Sequence, residues 1–126
     1  MTDHDVATRF ADAMAGGDVE VGIGLLAPDV VFHSPVVHRP YEGREAVAAI
    51  LRAVSVVFED FSYAERYDAP GGHVLAFNAR VGDRQLEGVD IIRTGADGLI
   101  ADFTVMVRPY SAATALREHM AAALAG

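Results

Sequence analysis

The sequence predicts an α+β domain in which helices pack on one face of a strongly curved antiparallel sheet. Three observations point there. Apolar residues recur at helical spacing near both ends of the chain and in the stretch after Gly43, four consecutive strand-like stretches lie between residues 60 and 108, and helices precede the sheet in chain order.

The first helix places Val6, Phe10, Ala13 and Met14 on one face, with Asp3 and Asp5 suited to the positive end of the helix dipole and Gly16-Gly17 to its stop. Asp18 suits an N-cap for a short second helix through "VEVGIGLLAPD", which Gly22 and Gly24 weaken and Pro28 ends. "VVFHSP" reads as a short strand broken at Pro35, and "VVHRPYEG" as a loop. The clearest helix follows Gly43. Val47, Ile50, Leu51, Val54 and Val57 keep one face apolar while Arg44, Glu45 and Arg52 stay wet, and the helix ends near Phe58. Beyond it, "DFSYAERY", "HVLAFNARV", "RQLEGVDIIR" and "LIADFTVMVR" are separated by "APGG", "GD" and "TGADG", turn signals that predict a four-stranded antiparallel meander. "SAATALREHMAAALA" closes the chain as a helix with Leu116, Met120 and Leu124 four apart.

Such a sheet curls into a cone, and a few helices cannot fill its open end, so the interior is a natural small-molecule pocket. On the last strand Phe103, Val105 and Val107 share one face and Thr104 and Met106 the other. Both faces want cover and only one can have the helices. The outer patch of Val89, Ile91, Thr104 and Met106 therefore predicts a homodimer joined through the convex face.

Composition narrows the chemistry. At 126 residues and 52% apolar, residues 1–126 form one domain with a real core. The N-terminus lacks a cationic segment followed by an apolar stretch, so a cytoplasmic protein is expected. There is no Cys, which removes thiolate nucleophiles, disulfides and thiolate metal sites, and every basic residue is Arg, which removes Schiff-base lysine chemistry. A formal charge of −8 without a basic cluster argues against nucleic acid or an anionic membrane as partner. Small neutral or weakly polar ligands are left. No compact spacing of His and acids suggests a metal, and no cofactor is expected.

The order of elements, with "LLAPDVVFHSPV", "YEGREAVAAIL", "GVDIIRTGADGLIADFTVMVRP" and the closing helix, resembles the SnoaL-like branch of the nuclear-transport-factor-2-like superfamily over nearly the whole chain. That superfamily holds isomerases, dehydratases, cyclases, epoxide hydrolases and binding domains, so the fold says little about the reaction. Its ketosteroid isomerases use an Asp base with an oxyanion hole of Tyr and a protonated Asp. In this sequence Phe10 stands where the resemblance places the Tyr, Ser34 stands where it places the base, and Asp90 matches the protonated acid. Two of the three groups are absent, so steroid isomerisation is not expected. Limonene epoxide hydrolase, with a similar pocket, uses an Asp-Arg-Asp set. Asp90 matches one acid, but Gly88 replaces the Arg and the second acid falls near Val105. A cyclase would need a base for an aldol step, for which His33, His38 and Asp90 are candidates.

Asp90 is the leading pocket group, because Leu86, Val89, Ile91 and Ile92 surround it and a carboxylate there is costly unless used. The structural alternative is a pairing with a nearby Arg or an internal hydroxyl. Without an Arg, its carboxyl should titrate above the usual range. His33 lies on the strand face opposite Phe32 and Ser34, so it reaches the pocket only if the strand bulges before Pro35, while His4, His73 and His119 are expected at the surface. Tyr41, ahead of Tyr63 and Tyr67, is the preferred source of a pocket hydroxyl. Phe61, Phe77, Phe103, Val105 and Val107 are expected as apolar wall, and Arg108 as an outer-face ion pair. The expected function is binding of a small hydrophobic carbonyl compound. The alternatives are a lyase, isomerase or cyclase using Asp90 with a His, and a dimeric structural domain whose pocket is filled by side chains.

Overall fold

A computed structural model describes residues 3–125, with side chains from Val6 to Ala125. Asp3, His4 and Asp5 lie outside the residues whose side chains are described. The helices are α1 (Asp3–Ala15), α2 (Val19–Gly24), α3 (Arg44–Val57) and α4 (Tyr110–Ala125). The strands are β1 (Leu26–His33), β2 (Tyr41–Glu42), β3 (Glu59–Ala69), β4 (Gly72–Val81), β5 (Arg84–Thr94) and β6 (Ile100–Arg108). None of the helices described is long and apolar enough to cross a membrane.

The meander forms as the turn signals predict: β3, β4, β5 and β6 pair antiparallel in sequence order. The tightest turn, Gly82-Asp83 between Val81 and Arg84, uses Gly82 at a positive φ of 58°. Two features depart from the sequence reading. The sheet is mixed rather than wholly antiparallel, because β1 lies parallel to β6, in the order β2-β1-β6-β5-β4-β3. The meander leaves only β3 and β6 as free edges, and β1, connected through α3, covers the second. Also, β1 begins at Leu26 rather than after Pro28, so α2 is short. The Ile100 amide donates to the Leu25 carbonyl at 2.9 Å, which starts the pairing, and Pro28 falls within an irregularity between Leu26 and Val31 where no ladder donor is required. Tyr41 and Glu42, expected in a loop, form a two-residue strand opposite Phe32 and Val31.

Strand alternation decides what the helices cover. Leu75, Phe77, Ala79 and Val81 of β4, Leu86, Asp90 and Ile92 of β5, and Phe103 of β6 are buried on the helix side. Val89, Ile91 and Thr104 are half-buried on the outer side, where Met106 is 56% exposed. The core has two parts. One packs Val6 and Phe10 of α1 with Val47, Ile50 and Leu51 of α3, and the other packs Ala112 and Leu116 of α4 against Phe77, Ala79, Val81 and Leu86. Gly88 is required by close approach. A Cβ there would lie 2.4 Å from the tip of the Phe77 ring and 2.9 Å from the Met106 carbonyl oxygen.

His73 is a correction to the surface assignment. It is 3% exposed, and its Nδ1 lies 2.6 Å from an Asp68 oxygen that Arg66 also holds. The β3–β4 hairpin brings Asp68 opposite His73, a pairing that depends on register.

Candidate functional site

Between the two parts of the core lies a cavity of about 460 Å³. Its apolar wall begins with a chain of rings. Phe10 from α1 and Phe32 from β1 each meet Phe103 of β6 edge-on, with centroids 5.3 Å apart in both pairs. Ile50, Leu51 and Val54 of α3 and Leu116 and Met120 of α4 complete much of the wall.

Asp90 opens into this apolar space. The register that sets it opposite Leu75 on β4 and Val105 on β6 puts its side chain on the helix side. Its one side-chain hydrogen-bond partner among the described residues is Tyr63 of β3, whose hydroxyl donates to Asp90 Oδ2 at 3.0 Å. Burial pushes the Asp90 carboxyl up to about 7, and the Tyr63 hydrogen bond pulls only partly the other way. Burial also raises Tyr63, and the adjacent Asp90 charge adds to that rise, so the phenol keeps its proton as a donor. Phe61 fixes the Tyr63 ring: the two meet edge-on at 4.9 Å, and Phe61 stacks on Phe58 at 6.0 Å. With Oδ2 accepting from Tyr63, a neutral Asp90 can carry its proton on Oδ1 and donate it to a guest.

Several residues singled out in the sequence meet here. Phe10, Ser34, Tyr41, Asp90, Phe103 and Val105 all line the cavity. The Ser34 hydroxyl accepts from the Val36 amide at 3.1 Å, folding the segment after β1 across the cavity. Phe77 and Val107, expected in the wall, are displaced from it. Phe77 backs Phe61 and Phe58 at 5.2 and 5.7 Å, and Val107 packs beneath α4 in the second part of the core. The missing side chain at Gly88 leaves room for the Phe77 ring to sit against β5.

The two histidines are not brought to the cavity. His33 alternates away from Phe32 and Ser34, and its Nε2 meets Asp102 Oδ2 at 3.1 Å on the outer side, where Arg93 holds the other Asp102 oxygen. The irregularity in β1 precedes Val31 rather than Pro35, so it does not turn His33 inward. His38 is exposed in the following loop. A His partner for Asp90 is thereby corrected to Tyr63, which the sequence reading ranked below Tyr41. The signal was present in "FSY": Phe61 and Tyr63 share a strand face. Arg108 pairs with Glu87 on the outer side. Beside Asp90 the cavity offers two phenols and serine hydroxyls, and no set of three or more metal-binding side chains converges among the described residues.

The profile of the SnoaL-like domain matches residues 7–103. No curated protein matches the sequence. Among solved structures, the chain is similar to a steroid delta-isomerase from Pseudomonas aeruginosa, at 43% identity and a TM-score of 0.93, covering 98% of this chain and 91% of that one. It is also similar to an uncharacterized protein with a cystatin-like fold from Silicibacter pomeroyi, at 38% identity and a TM-score of 0.90, covering 94% and 84% of the two chains. An NTF2-like protein of unknown function from Mesorhizobium loti, 20% identical with a TM-score of 0.76 over 85% of this chain and 91% of that one, shares the fold. The helix-covered sheet, the cavity between its helices and strands, and the profile match across most of the sequence agree: this chain belongs to the SnoaL-like domain family and has the nuclear-transport-factor-2-like, ketosteroid-isomerase-like fold.

Proposed function

We propose that the cavity binds a small hydrophobic compound through its carbonyl oxygen, which accepts a hydrogen bond from the protonated Asp90 carboxyl. One observation carries this reading: a buried carboxyl in an apolar cavity whose side-chain partner is a donor, Tyr63, and not a cation. A carboxyl poised near 7 keeps a substantial protonated fraction at neutral pH, and a neutral acid is a strong donor where water is excluded. The cavity volume suits a ligand of one to a few rings. That the space is not filled by side chains speaks against a purely structural domain.

The test uses a cyclic enone, whose ultraviolet band moves to longer wavelength when its carbonyl accepts a hydrogen bond. The wild type should bind it with a red shift. Asp90→Leu should remove the shift and weaken binding by about 1–3 kcal/mol, the cost of a hydrogen bond lost in a dry site. An unshifted band in the bound wild type would overturn the reading.

A second reading is an enone isomerase in which Asp90 itself moves the proton. It is favoured by the likeness to the protein named steroid delta-isomerase and by a carboxyl poised for exchange near neutrality. Against it, Phe10 offers no hydroxyl, and Ser34 no carboxylate, to the same cavity. Steroid Δ-isomerase turnover by the wild type should therefore stay at the buffer rate. Turnover well above that rate, lost in Asp90→Asn, would replace the binding reading with the catalytic one.

A further inference from the structure

The cavity carries a charged residue at its mouth as well as Asp90 at its base. Phe10, Phe32, Asp90 and Phe103 are buried at its base, while Gly17, Val37, Arg117 and Leu124 are exposed around its mouth. Asp90 and Arg117 are the two charge-bearing side chains of the lining. Arg52, Arg80, Arg93 and Arg108 each hold a carboxylate, but Arg117 has no hydrogen-bond or ion-pair partner among the described residues. Its helical neighbours three and four residues away are Thr114, Ala113, Met120 and Ala121, so α4 supplies no internal acid to it. In a chain of net charge −8, Arg117 places an unpaired guanidinium beside an apolar opening.

We propose that the natural ligand of this pocket is an amphiphilic anion: an apolar body that enters the cavity and a carboxylate, sulfate or phosphate that stays at the mouth on Arg117. The proposal rests on the carbonyl-binding reading for the buried end of the ligand and adds the chemistry of the opposite end. Guanidinium suits the task because it presents several donors in a plane to an oxyanion while remaining partly hydrated. The exposed apolar rim of Val37 and Leu124 would cover the part of the ligand between its two polar ends.

The experiment compares three probes by calorimetry: a cyclohexenone bearing a butanoate tail, its methyl ester, and cyclohexanebutanoate, which has no ring carbonyl. At about 10 mM salt, where charges act over about 30 Å, the wild type should favour the keto acid over its ester about threefold to fivefold. The preference should shrink as salt is added. Arg117→Met, which keeps an apolar stem, should bring the ratio to about one, and Arg117→Lys should restore part of it. Cyclohexanebutanoate should also lose affinity in Arg117→Met. A wild type that binds acid and ester equally, a ratio that survives Arg117→Met, or failure of both carboxylates to bind would overturn the proposal. If the acid preference depends on Arg117 but no bound enone shows a red shift, the anion end stands and the carbonyl reading fails. The two claims are thus separated.

Discussion

Replacing Asp90 by Asn should change not only ligand binding but the pH dependence of stability. The unfolded carboxyl titrates near 3.8 and the buried one at about 7, a gap of roughly three decades. At about 1.4 kcal/mol per decade, the folded state is penalised by on the order of 4 kcal/mol once the group must ionise. The sign follows from proton binding: between these two values the folded state holds the proton that the unfolded chain has released. Asp90 is therefore neutral to stability below about 3.8, costs progressively more as pH climbs toward 7, and levels off above it. Asn keeps an acceptor for the Tyr63 hydroxyl and cannot ionise. The advantage of Asp90→Asn over wild type should stay below about 1 kcal/mol at acid pH and approach about 4 kcal/mol at neutral pH and above. In a domain of this size that corresponds to a rise in melting temperature of roughly 12–20 °C. Asp68, held low first by His73 and then by Arg66, and Glu20, held low first by Arg52, make both proteins lose stability as pH falls. These contributions cancel in the difference. Melting curves of both proteins across pH, with carboxyl NMR titration of the wild type, measure it. Parallel profiles, or an Asp90 titration in the ordinary carboxylate range, would refute the reasoning.

Two further outcomes follow from the sheet. Met106→Glu, at a side chain 56% exposed on the outer face among Val89, Ile91 and Thr104, should shift sedimentation from dimer toward monomer; a wild type already monomeric at micromolar concentration would remove the proposed homodimer. Gly88→Ala should destabilise by about 1–3 kcal/mol in denaturant unfolding, since the new methyl meets the Phe77 ring and the Met106 carbonyl. Adding Phe77→Leu should recover only part of that loss, because the backbone contact persists, and a neutral Gly88→Ala would contradict the close packing.

How much was legible depends on whether the determinant was local. The periodicity from Arg44 to Val57, the Gly-Gly stop after α1 and the turn signals between β3 and β6 are properties of neighbouring residues, and they fixed the helices and the meander. Parity along single strands likewise turned Asp90 inward and His33 outward. The parallel docking of β1 on β6, the strand containing Pro28 and the small β2 are long-range pairings that a local pattern does not encode. The same division runs through the site. Sequence alone put an acid among apolar residues at position 90, while only register and ring packing across β3, β4 and β5 decided that Tyr63, held by Phe61, would reach it and that Phe77 would stand behind the wall. Alternation assigns a side chain to a face, but a hydrogen bond between residues 27 positions apart is settled by how neighbouring strands align and which side chains crowd beside them.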